Sequence, residues 1–372
     1  MTMKEIKVVI DGKEVAGLEG MTILEAAEQA GIWIPTLCHS KELGPSGVCR
    51  LCVVEVEGSP RLVGSCHTPI TQGMRIQTHS SQVVRTRRVL LELMMAGHTG
   101  ACVNDDRLEE CRLNQLASDF ELGPPRFKPN QPRFYAVEAV SPYVRRDLSK
   151  CIMCRRCIIA CREIAKKNVY ATGYRGFQAK VIVGCDEALN TEDCRDCGIC
   201  IDFCPTSALS RPEGFQGGAE KGAHSPSQSP EKTSQPDGRE KLLELLKAEQ
   251  QTSGVISDDF ITRLSKQLKL SRSEIYGVTT FYAFLSTRPL GKHVIRVCRS
   301  LPCYLKHSLM LIEAIGQTLG IAPGETTEDG NFSLELTNCI GACDQAPALM
   351  INQELHGNLT ADMIPKLLES YT

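Results

Sequence analysis

Two cysteine-rich stretches, CIMCRRCIIAC at 151–161 and CRDCGICIDFCP at 194–205, decide how the middle of this chain folds. Each has the spacing C-x2-C-x2-C-x3-C, and the second ends in Cys-Pro. Three thiols two residues apart can surround one metal cluster from a single tight loop, and the fourth, on the helix that follows, can reach a second cluster. The two stretches therefore predict two metal clusters in one module.

This spacing and the final Cys-Pro resemble bacterial two-cluster ferredoxins, which implies two 4Fe-4S clusters with crossed ligation. The alternative is zinc, because C-x2-C pairs also bind zinc. Zinc prefers two such pairs per ion, so the triplets favour clusters. The module is expected to span residues 138–212. One cluster is expected to bind Cys151, Cys154, Cys157 and Cys204, and the other Cys194, Cys197, Cys200 and Cys161.

Basic residues flank the first cysteine run, and two interpretations of them are open. They would offset the negative charge of thiolate-ligated clusters, or they form a solvated face with no such role. The residues are Arg145, Arg146, Lys150, Arg155, Arg156 and Arg162.

The composition is that of an ordinary globular protein with many cysteines. The 372 residues are 42% hydrophobic, carry a net charge of -2 and include 19 cysteines. The charge balance suggests neither nucleic acid nor an anionic membrane as a partner, and the sequence shows no signal peptide or membrane-length apolar stretch. We therefore expect a cytoplasmic chain without membrane insertion, whose reduced cysteines bind metal. Cys185 alone falls outside the recognisable groups and is expected to be an ordinary buried thiol.

Residues 1–79 predict a small sheet that carries four ligand cysteines. Residues 5–10 and 14–18 alternate apolar and polar side chains around Asp11-Gly12, which predicts a β-hairpin. Thr22 and Glu25 predict a capping box for the helix that follows. The cysteines come next, at Cys38, Cys49, Cys52 and Cys66.

This order of hairpin, helix, cysteine loop and return strand resembles the plant-type ferredoxin β-grasp module, in which four thiolates bind a 2Fe-2S cluster. The spacing C-x10-C-x2-C-x13-C resembles the version at the start of the large iron–sulfur subunit of respiratory complex I and of iron-only hydrogenases. A zinc module with four structural cysteines is the alternative.

His98 follows a predicted amphipathic helix and begins a third group of candidate ligands within residues 80–137. Cys102, Asp105 and Cys111 follow it at the offsets H-x3-C-x2-C-x5-C. The pattern resembles the small helical His-Cys 4Fe-4S domain of the same family, with Asp105 in place of a cysteine. Three outcomes are open: an Asp-ligated 4Fe-4S cluster, a three-iron cluster, or no cluster. We favour the first, because a carboxylate oxygen can ligate iron.

Residues 213–237 are rich in Gly, Ser, Pro, Gln and Lys and predict a flexible linker. Asp237 and Glu240 then predict the cap of a first helix. Further helical patterns follow, and then the order strand, helix, strand, strand, helix, with a turn predicted at His356-Gly357. Residues 238–372 therefore predict a thioredoxin-like domain with added amino-terminal helices.

Four cysteines in this last domain have the spacings C-x4-C and C-x3-C, which differ from a redox C-x2-C pair. They are Cys298, Cys303, Cys339 and Cys343. The domain resembles the thioredoxin-like 2Fe-2S subunit of complex I, the partner of the NADH-oxidising flavoprotein.

The expected fold class is α+β multidomain, with β-grasp, His-Cys, two-cluster ferredoxin and thioredoxin-like domains in that order. The predicted cofactors are two 2Fe-2S clusters, two 4Fe-4S clusters and a third 4Fe-4S cluster with His/Cys/Asp ligation. Strings of clusters carry single electrons, so the chain is expected to be a non-catalytic electron-transfer subunit. No G-x-G-x-x-G follows a strand, and we expect flavin and NAD to bind elsewhere.

The resemblance implies partners: an FMN- and NAD-binding flavoprotein, and a catalytic subunit of hydrogenase, formate dehydrogenase or aldehyde oxidoreductase type, or ferredoxin. It also implies an anaerobic, soluble complex, with flavin-based electron bifurcation as a further expectation. Two alternatives come from other classes. The chain could be an iron–sulfur redox sensor or free-standing electron carrier, although it has no DNA-binding helix pair, or a zinc-stabilised interaction module.

Overall fold

The computed structural model describes residues 4–98, 111–127, 135–139, 141–189, 192–195, 197–212 and 238–371. Cys102, Asp105 and the predicted linker 213–237 lie outside these ranges. The chain divides into two units, Met1–Thr172 with Gly176–Ser234 and Gly173–Arg175 with Gln235–Thr372. No helix in the described ranges is both long and apolar enough to cross a bilayer.

The amino-terminal sheet begins with the predicted hairpin. Strands β1 (Glu5–Ile10) and β2 (Lys13–Leu18) pair antiparallel around Asp11 and Gly12, both at positive φ, as tight hairpin turns require. Helix α1 (Ile23–Gln29) follows, and the predicted capping box is present: Thr22 N–H donates to Glu25 Oε2 at 2.7 Å and Glu25 N–H to Thr22 Oγ1 at 3.2 Å. The sheet is completed by β3 (Val53–Val56), β4 (Val63–Gly64) and β5 (Arg75–Gln77), in the order β2-β1-β5-β3-β4.

The next two helices close over the cysteine loop of this sheet. Helix α2 (Ser81–Gly97) is capped by Ser80, and α3 (Arg112–Asp119) begins directly after Cys111. Their apolar faces form one core with the loop that carries Cys38 and Cys49. The predicted helix over 80–97 is therefore present, and it packs against the first candidate site.

The module with the two cysteine runs is built from two short strand pairs, of which the first is antiparallel. They are β6 (Arg145–Arg146) with β9 (Leu209–Ser210), and β7 (Tyr170–Gly173) with β8 (Lys180–Val183). Each cysteine run leads into a short helix, α4 (Arg156–Ile159) or α5 (Ile199–Asp202). The residues before these helices, Arg155 and Gly198, have φ values of 64° and 60°. The two runs thus fold as structural repeats.

The second unit starts with three helices, α6 (Arg239–Ser253), α7 (Asp258–Leu268) and α8 (Arg272–Phe281). The predicted capping pair was wrong at this start, because Gly238 occupies the N-cap position without a side-chain hydrogen bond. Ser257 and Ser271 cap the next two helices instead, each accepting from a backbone N–H three residues on.

A four-stranded sheet forms the rest of this unit, in the order β11-β10-β12-β13. The strands of this sheet are β10 (His293–Cys298), β11 (Phe332–Thr337), β12 (Leu349–Ile351) and β13 (Glu354–His356). Helices α9 (Leu301–Leu305) and α10 (Ser308–Leu319) follow β10, and α11 (Ile364–Glu369) follows β13. Strands β10 and β11 are parallel, and β12 pairs antiparallel with β10 and β13.

The predicted turn at His356-Gly357 was wrong. The chain turns at Asn352, whose φ is 53°, and adds the extra strand β13, which ends at His356. Asparagine adopts left-handed backbone more readily than most residues, and Asn352 also accepts a hydrogen bond from Val294 N–H at 2.9 Å through its side chain.

Candidate metal centres

The structure places the four amino-terminal cysteines together and buries all of them: Cys38, Cys49, Cys52 and Cys66 are each less than a tenth exposed. A hydrogen bond from the Cys49 thiol lowers the pKa of Cys38 to about 5, and one from Cys66 lowers the pKa of Cys52 to about 6. The same two bonds raise the pKa of Cys49 and of Cys66. Buried sulfurs that share protons so closely form a donor set suited to a metal centre, since a bound cation removes these protons.

Arg87 on α2 stabilises the backbone of the loop that carries Cys52. Its side chain is completely buried; Nε donates to Leu51 O at 3.0 Å and Nη2 to Val53 O at 2.8 Å. These two carbonyls lie on either side of Cys52, so the guanidinium fixes the backbone there. Burial lowers the pKa of Arg87 to about 10. The sequence alone does not single out Arg87, because an arginine inside an amphipathic helix carries no local signal of its role.

His98 and Cys111 meet at the facing ends of α2 and α3. Both are buried, and the His98 Nε2 to Cys111 Sγ distance is 3.6 Å. The structure therefore brings together the two described members of the predicted His-Cys group. The other two, Cys102 and Asp105, lie outside the described residues, so the aspartate ligand stays a prediction.

The first crossed group lines a single cavity. Cys151, Cys154 and Cys157 come from the first run, and Cys204 comes from the second. Burial raises the pKa of Cys154 to about 12 and that of Cys157 well above its ordinary value. Thiols in such a place ionise only when a cation offsets the charge.

The buried guanidinium of Arg146 lies in the wall of this cavity, and its hydrogen bonds indicate whether an anionic cluster would fit there. Arg146 is 1% exposed and lines the cavity; its Nη2 lies 3.1 Å from Glu138 Oε1. Its Nε and Nη1 have no hydrogen-bond partner among the residues that the structure describes. Buried donors without an acceptor are costly. A negatively charged 4Fe-4S cluster held by the four thiolates would supply acceptors for Nε and Nη1 and a second negative charge beside that of Glu138, so the residues fit the group.

The second crossed group is also assembled. Cys194 and Cys200 are buried, and burial raises the pKa of Cys200 to about 12, with a smaller contribution from the neighbouring Cys194. The hydroxyl of Tyr170 lies 3.6 Å from Cys200 Sγ. Burial and Cys200 raise the pKa of Tyr170 well above its ordinary value.

The first and the crossed groups lie next to one another in the amino-terminal unit. Ser46 Oγ lies 3.5 Å from Cys38 O and 3.4 Å from Cys154 O, so it joins the two cysteine loops. Cys38, Cys49, Cys111 and Cys154 share one buried cluster. Three of the predicted sites therefore meet in a continuous core.

The carboxy-terminal group sits at the ends of β10 and β11, with two cysteines buried and two exposed. Cys298 and Cys303 are 2% exposed, whereas Cys339 and Cys343 are exposed with their sulfurs 3.9 Å apart. Burial and the neighbouring Cys298 raise the pKa of Cys303 to about 11. The Cys339 thiol raises the pKa of Cys343. Four sulfurs thus converge at one edge of the unit.

Known families match three parts of the chain. Residues 230–372 match the thioredoxin-like [2Fe-2S] ferredoxin family, residues 3–81 a 2Fe-2S iron-sulfur cluster binding domain, and residues 188–210 a 4Fe-4S binding domain. The chain is therefore an iron–sulfur protein with both kinds of cluster-binding domain.

Named relatives match a little over half of the chain. The chain is 38% identical over 212 residues to the NADP-reducing hydrogenase subunit HndD of Solidesulfovibrio fructosivorans, covering 56% of this chain and 36% of the relative. It is 34% identical over 205 residues to an NADH-quinone oxidoreductase subunit of Rhizobium meliloti, covering 55% and 24%. The chain thus spans about a third or a quarter of the length of these relatives.

A solved structure is similar as well. An NAD+-reducing [NiFe]-hydrogenase in the H2-reduced state matches with a TM-score of 0.50 and 29% identity, covering 56% of this chain and 88% of the solved chain. Together the matches identify the chain as a fusion: an iron–sulfur region of the complex I and hydrogenase type, followed by a thioredoxin-like 2Fe-2S ferredoxin.

Proposed function

We propose that this chain is the electron-transfer subunit of an NAD(P)-linked oxidoreductase complex. The observation that carries the proposal is the contact between cysteine groups: Ser46 links the loop of Cys38 to the loop of Cys154, whose group lines a cavity with Cys204. Adjacent redox centres are what a relay of single electrons requires, and isolated structural metal sites have no need of this arrangement.

Each site has a proposed occupant. The four amino-terminal cysteines hold a 2Fe-2S cluster, the two crossed groups hold 4Fe-4S clusters, and the carboxy-terminal four hold a second 2Fe-2S cluster. His98 and Cys111, with Cys102 and Asp105, hold a third 4Fe-4S cluster. Such clusters store and release one electron each. The protein fixes their ligands, buries them and surrounds them with hydrogen bonds.

The proposed partners rest on the relatives, which are subunits of a hydrogenase and of an NADH-quinone oxidoreductase. A flavoprotein that binds FMN and NAD is proposed on the side of Cys298, since Cys339 and Cys343 are exposed there. A catalytic subunit of hydrogenase, formate dehydrogenase or aldehyde oxidoreductase type, or ferredoxin, takes or supplies the electrons at the amino-terminal unit. Flavin-based bifurcation in a soluble, anaerobic complex is the most specific form of the proposal.

Anaerobic affinity purification of the tagged full chain from its own cells tests the proposal. We expect a flavoprotein and a catalytic subunit to co-purify. NADH or NADPH should reduce the iron–sulfur clusters of the complex, which is detected by the appearance of their EPR signals. A Cys339→Ser variant should lose this reduction, whereas Cys185→Ser, outside every proposed ligand group, should keep it. Recovery of the chain alone, with clusters that neither nucleotide reduces, would favour a free carrier or a redox sensor instead.

A further inference from the structure

Tyr170, the first residue of β7, stands between the two crossed cysteine groups. Its side chain is 2% exposed and lines the cavity that holds Cys151, Cys157 and Cys204. Its hydroxyl, in contrast, lies 3.6 Å from the sulfur of Cys200, which belongs to the other group. One aromatic side chain therefore contacts both places where a cluster is proposed.

The chemistry of the hydroxyl determines what this contact does. A phenol is protonated near neutral pH and carries one donor, and a thiolate ligand is an acceptor. Hydrogen bonds to cluster sulfurs are among the main influences on the reduction potential, because they stabilise the reduced state, which is the more negative one. The hydroxyl is buried with Cys200, so bulk water does not take its place.

We propose that Tyr170 is a positioning residue that donates a hydrogen bond to Cys200 and raises the reduction potential of the cluster bound by Cys194, Cys197, Cys200 and Cys161. This inference rests on the proposed function. The hydroxyl's hydrogen-bond contact is with Cys200 of the second group, so the potential of the other cluster is expected to depend less on it. The chain thereby sets two clusters with the same ligand pattern to different potentials.

The test is Tyr170→Phe in the full chain, which keeps the ring and removes the donor. An anaerobic redox titration followed by EPR measures each cluster, and a Cys161→Ser variant assigns the signal of the second group. We expect the reduced-to-oxidised ratio of that cluster at a fixed potential to fall about fivefold to tenfold, where tenfold equals 59 mV for one electron. The potential of the first group should shift less than that of the second.

Tyr135→Phe is the matched control, because Tyr135 packs on the same core and its ring contact is with Lys180; both potentials should stay at wild-type values. A second measurement detects the donated proton itself. After exchange into D2O, electron–nuclear double resonance should detect one additional exchangeable deuteron near the second cluster, and Tyr170→Phe should remove it.

The outcomes separate the inference from the proposed function. Two 4Fe-4S signals in the wild-type chain, with unchanged potentials and deuteron coupling in Tyr170→Phe, would overturn the role of Tyr170 and leave the relay intact. A wild-type chain that binds no 4Fe-4S clusters at these groups would overturn both.

Discussion

The planar guanidinium of Arg87 donates two hydrogen bonds to the first cysteine loop. Replacing Arg87 with lysine keeps the positive charge and removes this planar pair of donors, so it distinguishes the effect of geometry from that of charge. Arg87 is 0% exposed and donates to two carbonyls, Leu51 O at 3.0 Å and Val53 O at 2.8 Å. Lysine keeps the charge but presents all its donors from one atom, so it cannot reproduce the planar fork. We expect Arg87→Lys to destabilise the amino-terminal unit although it is conservative in charge.

The magnitude follows from the two bonds. A hydrogen bond from a charged donor contributes about 1.5–3 kcal/mol, and lysine loses at least one while the burial cost of the charge remains. Arg87→Met loses both bonds but also removes the buried charge. The lowering of the Arg87 pKa from 12.5 to about 10 corresponds to roughly 3 kcal/mol of that cost at about 1.36 kcal/mol per pKa unit. Arg87→Lys is therefore expected to destabilise by about 1.5–3 kcal/mol. Arg87→Met, whose loss of two bonds is offset by removal of the buried charge, is expected to destabilise by about 0–3 kcal/mol.

The assay is thermal bleaching of the visible absorbance of the anaerobic, cluster-loaded chain at one fixed scan rate, because such unfolding is scan-rate dependent. At about 2–4 °C per kcal/mol, Arg87→Lys should bleach roughly 3–12 °C below the wild type, and Arg87→Met roughly 0–12 °C below it. Arg85→Lys, at an exposed position of the same helix, should not shift. If Arg87→Lys bleached at the wild-type temperature while Arg87→Met bleached at a lower one, the positive charge of Arg87 would stabilise the unit and its planar pair of donors would not.

Three further changes test the crossed module. Cys204→Ser should remove the EPR signal of the cluster bound by the first run and spare that of its own run; loss of the opposite signal would refute crossed ligation. Arg155 has a left-handed φ of 64°, and relief of this strain in Arg155→Gly should outweigh the entropy cost of glycine by about 0.5–1 kcal/mol. The bleaching temperature should therefore rise by about 1–4 °C, and a lower temperature would contradict this. Arg146→Met should lower the potential of the cluster of the first run in a redox titration, and an unchanged potential would mean that its guanidinium does not face the cluster.

Much of this architecture could be predicted because the signals are local. The Asp11-Gly12 turn and the Thr22 capping box depend on neighbours a few residues apart, and both are present. The cysteine runs likewise carry their ligand spacing within a dozen residues. The wrong predictions, a cap before α6 and a turn at His356-Gly357, fell where several polar residues compete for one boundary and tertiary pairing decides.

The supporting residues could not be predicted, because their roles exist only after distant segments meet. Arg87 contacts a loop more than thirty residues earlier in the chain, and Tyr170 reaches a cysteine thirty residues later. Arg146 was one of six basic residues with two open interpretations. Its burial and its lack of partners for Nε and Nη1 among the described residues distinguish it, and composition cannot supply that information.

The central claim is that these cysteines hold redox-active iron–sulfur clusters. The most direct measurement is iron, zinc and acid-labile sulfide analysis of the anaerobically purified full chain, joined to an EPR-monitored reductive titration. We predict iron and sulfide in equal amounts, with signals from two 2Fe-2S and three 4Fe-4S clusters that take up one electron each. Zinc without labile sulfide, and no signal on reduction, would contradict the account.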